Sequence, residues 1–404
     1  LEAVAGVGGT PDGIEQAELF SAWSRFLEAL ATRNPLVIVV EDLHWADEAM
    51  LDFLEYLTDW AVSSPILVVA TARPELFSLR GSWGGGKRNA ATVSLPPLKA
   101  EHAAVLLGAL LETTVLDAAV QQAILDRSEG NPLYVTEFVR LADDKGVLRN
   151  AAAIADLALP GSVQAIVAAR LDLLPAEEKA ALQAAAVVGK TFWAGALRSL
   201  RPTLSTSELV RNLIRRELIR PVRGSSMHAQ EEYAFSHSVI RDVCYGQIPK
   251  EERARLHEAT AAWIDAVTGP QGTDAAELLA YHFGEALSLS SAADPELQLR
   301  AYQVHMQAGE RARGLSPARA AGYFRIAVEH ASSGTDRGHA LLELSDASRL
   351  NEPDRVRPLL DEALALFREA SDVEGEATAL SMLAGFLWWR GDTSDAYAHG
   401  HEAL

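Results

Sequence analysis

Two short apolar runs in the first hundred residues predict β-strands. The runs are 36–40, Leu-Val-Ile-Val-Val, and 66–71, Ile-Leu-Val-Val-Ala-Thr, and each follows a polar residue and a proline. Between them, residues 47–60 carry leucines at positions 51, 54 and 57, a spacing typical of an amphipathic helix. This order predicts a parallel βαβ unit whose strands are buried on both faces. A third strand is predicted at 91–95, just before two prolines.

Helical periodicity dominates after residue 98. Helices are predicted at 99–112, 116–127 and 133–144. The segment 161–248 combines helices with two short strands, 217–222 and 231–235, on either side of a loop rich in Gly, Ser and His. Helices that end in such a two-stranded wing favour a winged-helix domain. From about residue 250 onward, the whole pattern is helical.

Small residues near the C-terminus recur at similar offsets and indicate helical repeats. The positions are Ala308, Ala320, Phe324 and Ala327 in one segment, and Ala384, Ala396 and Ala403 in another. These offsets match the contacts of a tetratricopeptide-type hairpin, with Gly391-Asp392 as its turn. An alanine-rich helical region also produces such matches by chance. Under both interpretations we expect an α-solenoid, which offers a surface to a protein partner or a small effector.

Composition narrows the class of protein. The 404 residues contain 36 Lys and Arg against 55 Asp and Glu, a net charge of −19, which disfavours extended contact with nucleic acid. One cysteine, Cys244, allows no intramolecular disulfide, and no stretch is apolar enough to span a membrane. We therefore expect a cytoplasmic protein without membrane contact. The chain begins without Met and ends in a helical pattern, so we expect a fragment of a longer protein.

The apolar run 37–40 leads into the most informative motif, Glu41-Asp42-Leu43-His44-Trp45-Ala46-Asp47. An apolar strand that ends in two acids is the Walker B pattern of a P-loop nucleotide hydrolase. There one carboxylate enters the Mg²⁺ shell and another lies near the attacking water. Ligands bind beyond the carboxyl ends of parallel strands, where this pair falls. A solvated acidic turn is the alternative for a generic motif of this kind. His44 and Trp45 are interpreted as packing residues behind the strand.

Four ordered motifs together resemble a known family. Besides 41–47, they are 71–75, Thr-Ala-Arg-Pro-Glu; 129–134, Glu-Gly-Asn-Pro-Leu-Tyr; and 235–257, which runs from Phe-Ser-His through Tyr245 to His257. The chain over about residues 20–265 resembles the bacterial signal-transduction (STAND, AAA-like) P-loop ATPase modules of class III adenylate or guanylate cyclases and large LuxR-type regulators.

The resemblance implies a site and a cofactor. Glu41 and Asp42 correspond to the Walker B acids that hold Mg²⁺, and Arg73 to the sensor that reaches the terminal phosphate of ATP. Gly130 and Pro132 correspond to the turn that lies against the adenine, and His237 to the winged-helix histidine that senses the diphosphate of ADP. Three of these assignments also have a structural interpretation. Arg73 is then a surface arginine, the turn of Gly130 and Pro132 caps a helix, and His237 is a hydrogen-bonded core histidine.

The resemblance also implies the fold class, α/β followed by all-α. The expected domains are a partial parallel-sheet P-loop core at 1–98, a helical lid at 99–160, a winged helix at 161–248 and tetratricopeptide-like repeats at 249–404.

One family motif is missing. Residues 1–35 contain no G-x-x-x-x-G-K-[ST] string, the Walker A loop, and 6–10, Gly-Val-Gly-Gly-Thr, lacks the lysine. Residues 81–87 match its first seven positions, but Arg88 replaces the hydroxyl that binds Mg²⁺, so we interpret them as a surface loop. We expect the true loop to precede this chain, and the chain alone to bind ATP poorly and to be inactive as an ATP hydrolase.

Five arginines form a basic group near the predicted wing: Arg211, Arg215, Arg216, Arg220 and Arg223. In a DNA-binding winged helix such residues contact phosphates or guanines. The acidic balance of the chain argues against direct DNA contact here. The favoured function is a regulatory, nucleotide-dependent switch that binds and hydrolyses ATP and carries a helical-repeat sensor. The alternatives are a non-catalytic interaction scaffold with a degenerate ATPase core and a winged-helix DNA-binding regulator.

Overall fold

The fold is mainly helical. A computed structural model describes residues 16–111, 114–203, 205–269, 275–291, 294–314 and 316–404, so the Gly-rich segment 6–10 lies outside the described residues. Contacts between Cα atoms group the described residues into two units. The first takes in stretches up to Val93, within 271–280 and within 294–404, and the second takes in 94–270 and 281–293. Within the described ranges, every helix is too short or too polar to span a lipid bilayer.

The first unit begins with the predicted βαβ arrangement. Its elements are α1 (Gln16–Ala31), β1 (Leu36–Val40), a 3₁₀ turn (Leu43–Trp45), α2 (Glu48–Trp60), β2 (Ile66–Ala70) and α3 (Glu75–Leu79). The strands pair in parallel, from Leu36 opposite Ile66 to Val40 opposite Ala70. The Asp47 side chain accepts a hydrogen bond of 2.8 Å from the backbone N–H of Met50 and so caps α2. The prediction of a parallel pair joined by a helix is confirmed.

Two details of the predicted sheet are wrong for the described residues. Val37 and Val39 on β1, and Leu67 on β2, are 58%, 61% and 56% exposed, so one face of the sheet is uncovered. Residues 91–95 form no strand; Val93 and Leu95 are 79% and 89% exposed. A strand needs a neighbour for its N–H and C=O groups, and apolar composition supplies none.

The second unit is helical with one small sheet. Its elements are α4 (Ala100–Leu111), α5 (Ala118–Ser128), α6 (Pro132–Asp144), α7 (Ala151–Ala155), α8 (Val163–Asp172), α9 (Ala176–Val188), β3 (Thr191–Trp193), α10 (Ala194–Leu200), α11 (Thr206–Arg215), β4 (Ile219–Pro221), β5 (Glu232–Phe235), α12 (Ser238–Gly246) and α13 (Lys250–Thr268). The strands form an antiparallel sheet in the order β3-β5-β4. The sequence predicted β4 and β5 and missed β3, because three residues show no alternation that distinguishes a strand.

The remaining helices are α14 (Ala276–Leu289), α15 (Pro295–Arg313), α16 (Pro317–His330), α17 (Gly334–Ser348), α18 (Pro353–Ala370), α19 (Val373–Arg390) and α20 (Thr393–Glu402). From α15 onward, each helix packs against the next. A repeated aromatic contact joins them: a Cβ at Gly309 would overlap the ring of Phe324, and a Cβ at Gly338 would overlap that of Phe367. Gly391, at φ 92°, ends α19 in the left-handed region, as predicted for a turn. The prediction of helices after residue 250 is confirmed for the described residues.

A buried chain of polar side chains joins three helices of the second unit. The Nδ1 atoms of His257 on α13 and His282 on α14 are 2.9 Å apart, and both side chains are fully buried. His257 Nε2 lies 3.0 Å from the hydroxyl of Tyr245 on α12, which also donates to Glu285 over 3.4 Å. Burial, together with the nearby guanidinium of Arg241, lowers the pKa of His257 to about 4 and that of His282 to about 3. Both imidazoles are therefore neutral near pH 7.

These two histidines make the second unit sensitive to acid. Their pKa values are lower in the folded chain than the ordinary value of 6.5, so between pH 6.5 and about 4 the unfolded chain binds protons that the folded chain does not. The free energy of unfolding should fall as the pH falls through this window, by up to about 1.4 kcal/mol per pH unit for each histidine. Urea titrations at pH 7, 5.5 and 4.5 measure this dependence.

The variant His257→Gln isolates the histidine contribution from that of the carboxylates. It should show a shallower loss of stability between pH 6.5 and 4 than the unaltered chain. Parallel curves for the two proteins would contradict the assignment.

Candidate functional site

The acidic loop lies at the carboxyl edge of the parallel strands. After the ladder ends, the N–H of Thr71 still donates to the carbonyl of Val40 over 2.9 Å. The N–H of Asp42 then donates to Thr71 Oγ1 over 3.1 Å, and that of Leu43 donates to the Thr71 carbonyl over 2.8 Å. Asp42 adopts a left-handed conformation, φ 57°, which turns the chain into the 3₁₀ helix. The loops after β1 and β2 are therefore held side by side.

Glu41 and Asp42 supply adjacent carboxylates at this edge. Glu41 is exposed and Asp42 is half-buried. Mg²⁺ is commonly bound through one or two protein carboxylates, with water and substrate phosphates as its other ligands, so this pair fits its donor chemistry. No group of three or more His, Cys, Asp or Glu side chains in the described ranges is arranged to hold a metal ion.

Arg73 lies on the neighbouring loop, so the structure brings it beside the acidic pair. Its side chain is exposed, and its backbone N–H donates to Nδ1 of His44 over 3.3 Å. The carbonyl of Arg73 accepts from the N–H of Leu76 over 3.1 Å, at the start of α3. A guanidinium held on this loop offers donors to a phosphate bound at the same edge.

The two residues that follow Leu43 differ from their interpretation as packing residues. Trp45 is 71% exposed, so it does not pack behind the strand. His44 is half-buried, and its Nδ1 accepts the hydrogen bond from Arg73 across the two loops. The sequence could not indicate this contact, because it depends on the parallel pairing that brings the loops together.

The Gly-rich loop 81–87 is attached to α2. Lys87 Nζ lies 2.8 Å from Asp59 Oδ2, near the end of that helix, and Arg80 Nη2 lies 2.5 Å from Asp52 Oδ1. Because α2 crosses back from the end of β1 to the start of β2, its C-terminal end lies opposite the edge that carries Asp42. This placement supports the interpretation of 81–87 as a surface loop.

Gly130 and Pro132 form a tight turn in the second unit. Gly130 has φ +74°, and its carbonyl accepts the N–H of Leu98 over 2.8 Å. A Cβ at Gly130 would overlap the Leu98 carbonyl oxygen and lie 3.0 Å from the Leu98 nitrogen. Asn131 caps α6 by accepting the N–H of Leu133 over 2.9 Å, and Pro132 opens the helix. The close backbone approach explains the glycine.

His237 lies in the same unit, at the N-cap of α12, and is half-buried. Burial lowers its pKa, the carboxylate of Glu137 raises it, and the guanidinium groups of Arg140 and Arg170 lower it. The net effect is a pKa below the ordinary value, so the imidazole is neutral near pH 7. Glu137 belongs to α6, the helix that Pro132 opens.

A buried ion network, which the sequence did not indicate, joins α6 to α8. Glu137 is fully buried and Arg170 is 2% exposed, and Arg170 Nη1 lies 2.5 Å from Glu137 Oε2. Arg170 Nε lies 2.7 Å from Asp144 Oδ2, and Arg140 Nη1 lies 2.6 Å from Glu137 Oε1. Since removal of one partner leaves a buried charge unpaired, this network holds the helix of the Gly130 turn against its neighbours.

The same network includes one arginine of the predicted basic group. Arg216 Nη1 lies 3.2 Å from Asp144 Oδ1, and Arg216 Nε lies 3.4 Å from Glu178 Oε2. The other members, Arg211, Arg215, Arg220 and Arg223, are exposed. The basic group therefore has both a structural and a solvent-facing part.

The requirement for glycine at position 130 is testable with a matched control. Gly130→Ala and Gly146→Ala both put alanine at a positive φ, +74° and +70°, but a Cβ at Gly146 would meet no atom within 4 Å. Gly146→Ala should lower the free energy of unfolding by about 1 kcal/mol. Gly130→Ala should lower it by about 1–3 kcal/mol more, because the added carbon overlaps backbone. Urea denaturation compares them, and equal losses would contradict the close approach to Leu98.

Comparisons with known proteins match the N-terminal part of the chain to one domain family. The family model described as AAA ATPase domain matches residues 1–69, which include the acidic loop and end one residue before the end of β2. An uncharacterized protein of Rhizobium meliloti (strain 1021) is 28% identical over 261 residues, 60% of this chain and 24% of that protein.

Among solved structures, the chain is similar to a Signal Transduction ATPase with Numerous Domains (STAND) protein with a tetratricopeptide repeat sensor, from Pyrococcus horikoshii. The TM-score is 0.43 with 14% identity, over 100% of this chain and 66% of that one. The chain spans about a quarter of the curated relative's length and 66% of the solved structure's length.

Proposed function

We propose that this chain is part of a regulatory module that binds and hydrolyses ATP in a bacterial signal-transduction protein. The observation that carries the proposal is the edge where Glu41 and Asp42 lie beside the loop of Arg73, after parallel strands. The match of residues 1–69 to the AAA ATPase domain supports it, because the acidic loop falls within the match.

Each residue of this edge has a distinct proposed role. The carboxylate of Asp42 helps to hold Mg²⁺, which neutralises phosphate charge when the nucleotide is bound. Glu41, which is exposed, orients the attacking water. Arg73 stabilises the charge that develops on the terminal phosphate. All three roles require the loops to stay in register beyond the strand ends, and the hydrogen bonds through Thr71 support this.

The second unit is proposed to report which nucleotide is bound. In this proposal α4–α7 form a lid, and α8–α12 with the sheet β3-β5-β4 form a winged helix. The turn of Gly130 and Pro132 lies against the adenine, and His237 contacts the diphosphate of ADP. The buried pair of Glu137 and Arg170 supports a common movement of α6 and α8, because separating them would strand two charges.

The helices α15–α20 are proposed to be a tetratricopeptide-like sensor for a protein partner or a small effector. One contact supports communication with the acidic loop: Arg319 on α16 binds Asp47 Oδ2 over 2.7 Å. The same guanidinium binds Glu277 Oε2 over 2.5 Å. Since Asp47 also caps α2 just after the 3₁₀ turn, a partner that moves α16 would disturb this loop. For the whole protein, the proposed output domain is a cyclase or a transcription regulator.

The hydrolytic role is tested in the full-length protein. Asp42→Asn and Arg73→Ala should each lower kcat for ATP hydrolysis by at least about a hundredfold, because each removes a group that stabilises phosphate charge. Lys87→Ala is the control, since its ammonium is paired with Asp59, and it should retain turnover. Steady-state phosphate release measures all three. Wild-type turnover in Asp42→Asn, or loss of turnover in Lys87→Ala, would overturn the assignment.

The coupling of the helical stack to the acidic loop has its own test. Arg319→Ala should raise basal hydrolysis about two- to fivefold, the effect expected for loss of an exposed ion pair that favours the resting state. Arg325→Ala is the matched control: Arg325 lies on the same helix, its side chain is 41% exposed against 43% for Arg319, and it pairs with Glu352 within the stack. Equal rates for the two variants would contradict the coupling.

A further inference from the structure

We propose that His44 is a positioning residue that fixes the loop of Arg73 against the acidic loop. The inference rests on the proposed function and adds to it a residue that touches neither metal nor phosphate. The contact that carries it is the hydrogen bond of 3.3 Å from the backbone N–H of Arg73 to His44 Nδ1, between residues 29 positions apart.

The contact completes a set of bonds between the two loops. Thr71 accepts from the N–H groups of Asp42 and Leu43, through its hydroxyl and its carbonyl, over 3.1 and 2.8 Å. These bonds hold the acidic side of the edge. The bond from Arg73 to His44 runs in the opposite direction, from the second loop to the first, and lies two residues beyond Thr71. It ties Arg73 itself directly to the acidic loop.

The backbone of Arg73 is fixed on both sides by this arrangement. His44 binds its N–H, its carbonyl accepts from Leu76 over 3.1 Å, and Pro74 restricts its backbone to extended conformations. A long side chain that leaves a fixed Cα searches a smaller volume than one on a loose loop. His44 therefore limits where the guanidinium of Arg73 can be, without contacting that group.

The chemistry of the contact requires an acceptor on the imidazole. An N–H donor requires a lone pair on the atom that accepts, and Nδ1 of His44 supplies it. Asparagine can offer an amide oxygen at the position of Nδ1, whereas the polar atoms of glutamine lie one bond further out, near the position of Nε2. A comparison of His44→Asn with His44→Gln therefore shows whether an acceptor at the position of Nδ1 is required or whether any polar side chain is enough.

The first test measures amide hydrogen exchange of Arg73 in the 404-residue chain without nucleotide. Loss of one hydrogen bond should speed exchange about fivefold in His44→Ala and His44→Gln, and His44→Asn should restore the slow rate. His102→Ala, an exposed histidine on α4, is the control and should leave the rate unchanged. Unaltered exchange in His44→Ala, or fast exchange in His44→Asn, overturns the contact.

The second test measures hydrolysis by the full-length protein. His44→Ala should lower kcat about tenfold or more with little change in KM, because misplacement of Arg73 weakens the transition state more than the bound substrate. His44→Asn should recover most of kcat. Full turnover in His44→Ala, or an asparagine variant that restores exchange but not kcat, overturns the positioning role.

The two failures are distinguishable. If the proposed function is wrong, the unaltered full-length protein hydrolyses no ATP, whatever the exchange rates show. If only this inference is wrong, the unaltered protein and His44→Ala turn over equally well, while Asp42→Asn remains inactive.

Discussion

Parallel pairing of β1 with β2 is the constraint on which the candidate site depends. Parallel strands end at the same edge, so the residues that follow them become neighbours although 29 positions separate Asp42 from Thr71. The strand pairing ends at Val40 and Ala70. Beyond it, the N–H groups of Asp42 and Leu43 donate to the hydroxyl and the carbonyl of Thr71, so the two chain segments stay together for two more residues. The acidic pair and Arg73 share an edge because of this extension. The local sequence around either of them does not bring them together.

The second unit uses two ways of keeping titratable groups in its interior. Glu137 and Arg170 form an ion pair at 2.5 Å, and Asp144 and Arg140 complete the set. His257 and His282 are neutral instead and bind through their Nδ1 atoms. The ion pair of Glu137 and Arg170 ties α6 to α8. The contact between the two histidines is stable near neutral pH, and the unit loses stability when acid protonates them.

An ion pair of Arg319 connects the helical stack to the acidic loop. Arg319 contacts Asp47 and Glu277 with different nitrogens, and its side chain is 43% exposed. An exposed ion pair contributes little to stability, about 1 kcal/mol or less, and is therefore easily broken by a partner. A modest difference in binding energy can therefore break or restore this contact.

The sequence by itself determined the local elements: two apolar strands around an amphipathic helix, the helices that follow, the strands β4 and β5, and the turn at Gly391. It did so because side-chain periodicity and turn residues act within a few positions. Tertiary structure alone decided the rest. It left residues 91–95 unpaired, joined Lys87 to Asp59, paired Glu137 with Arg170 and gave His44 its bond to Arg73. The three contacts join residues about 30 positions apart. Local sequence patterns do not indicate which distant group completes a hydrogen bond or balances a charge.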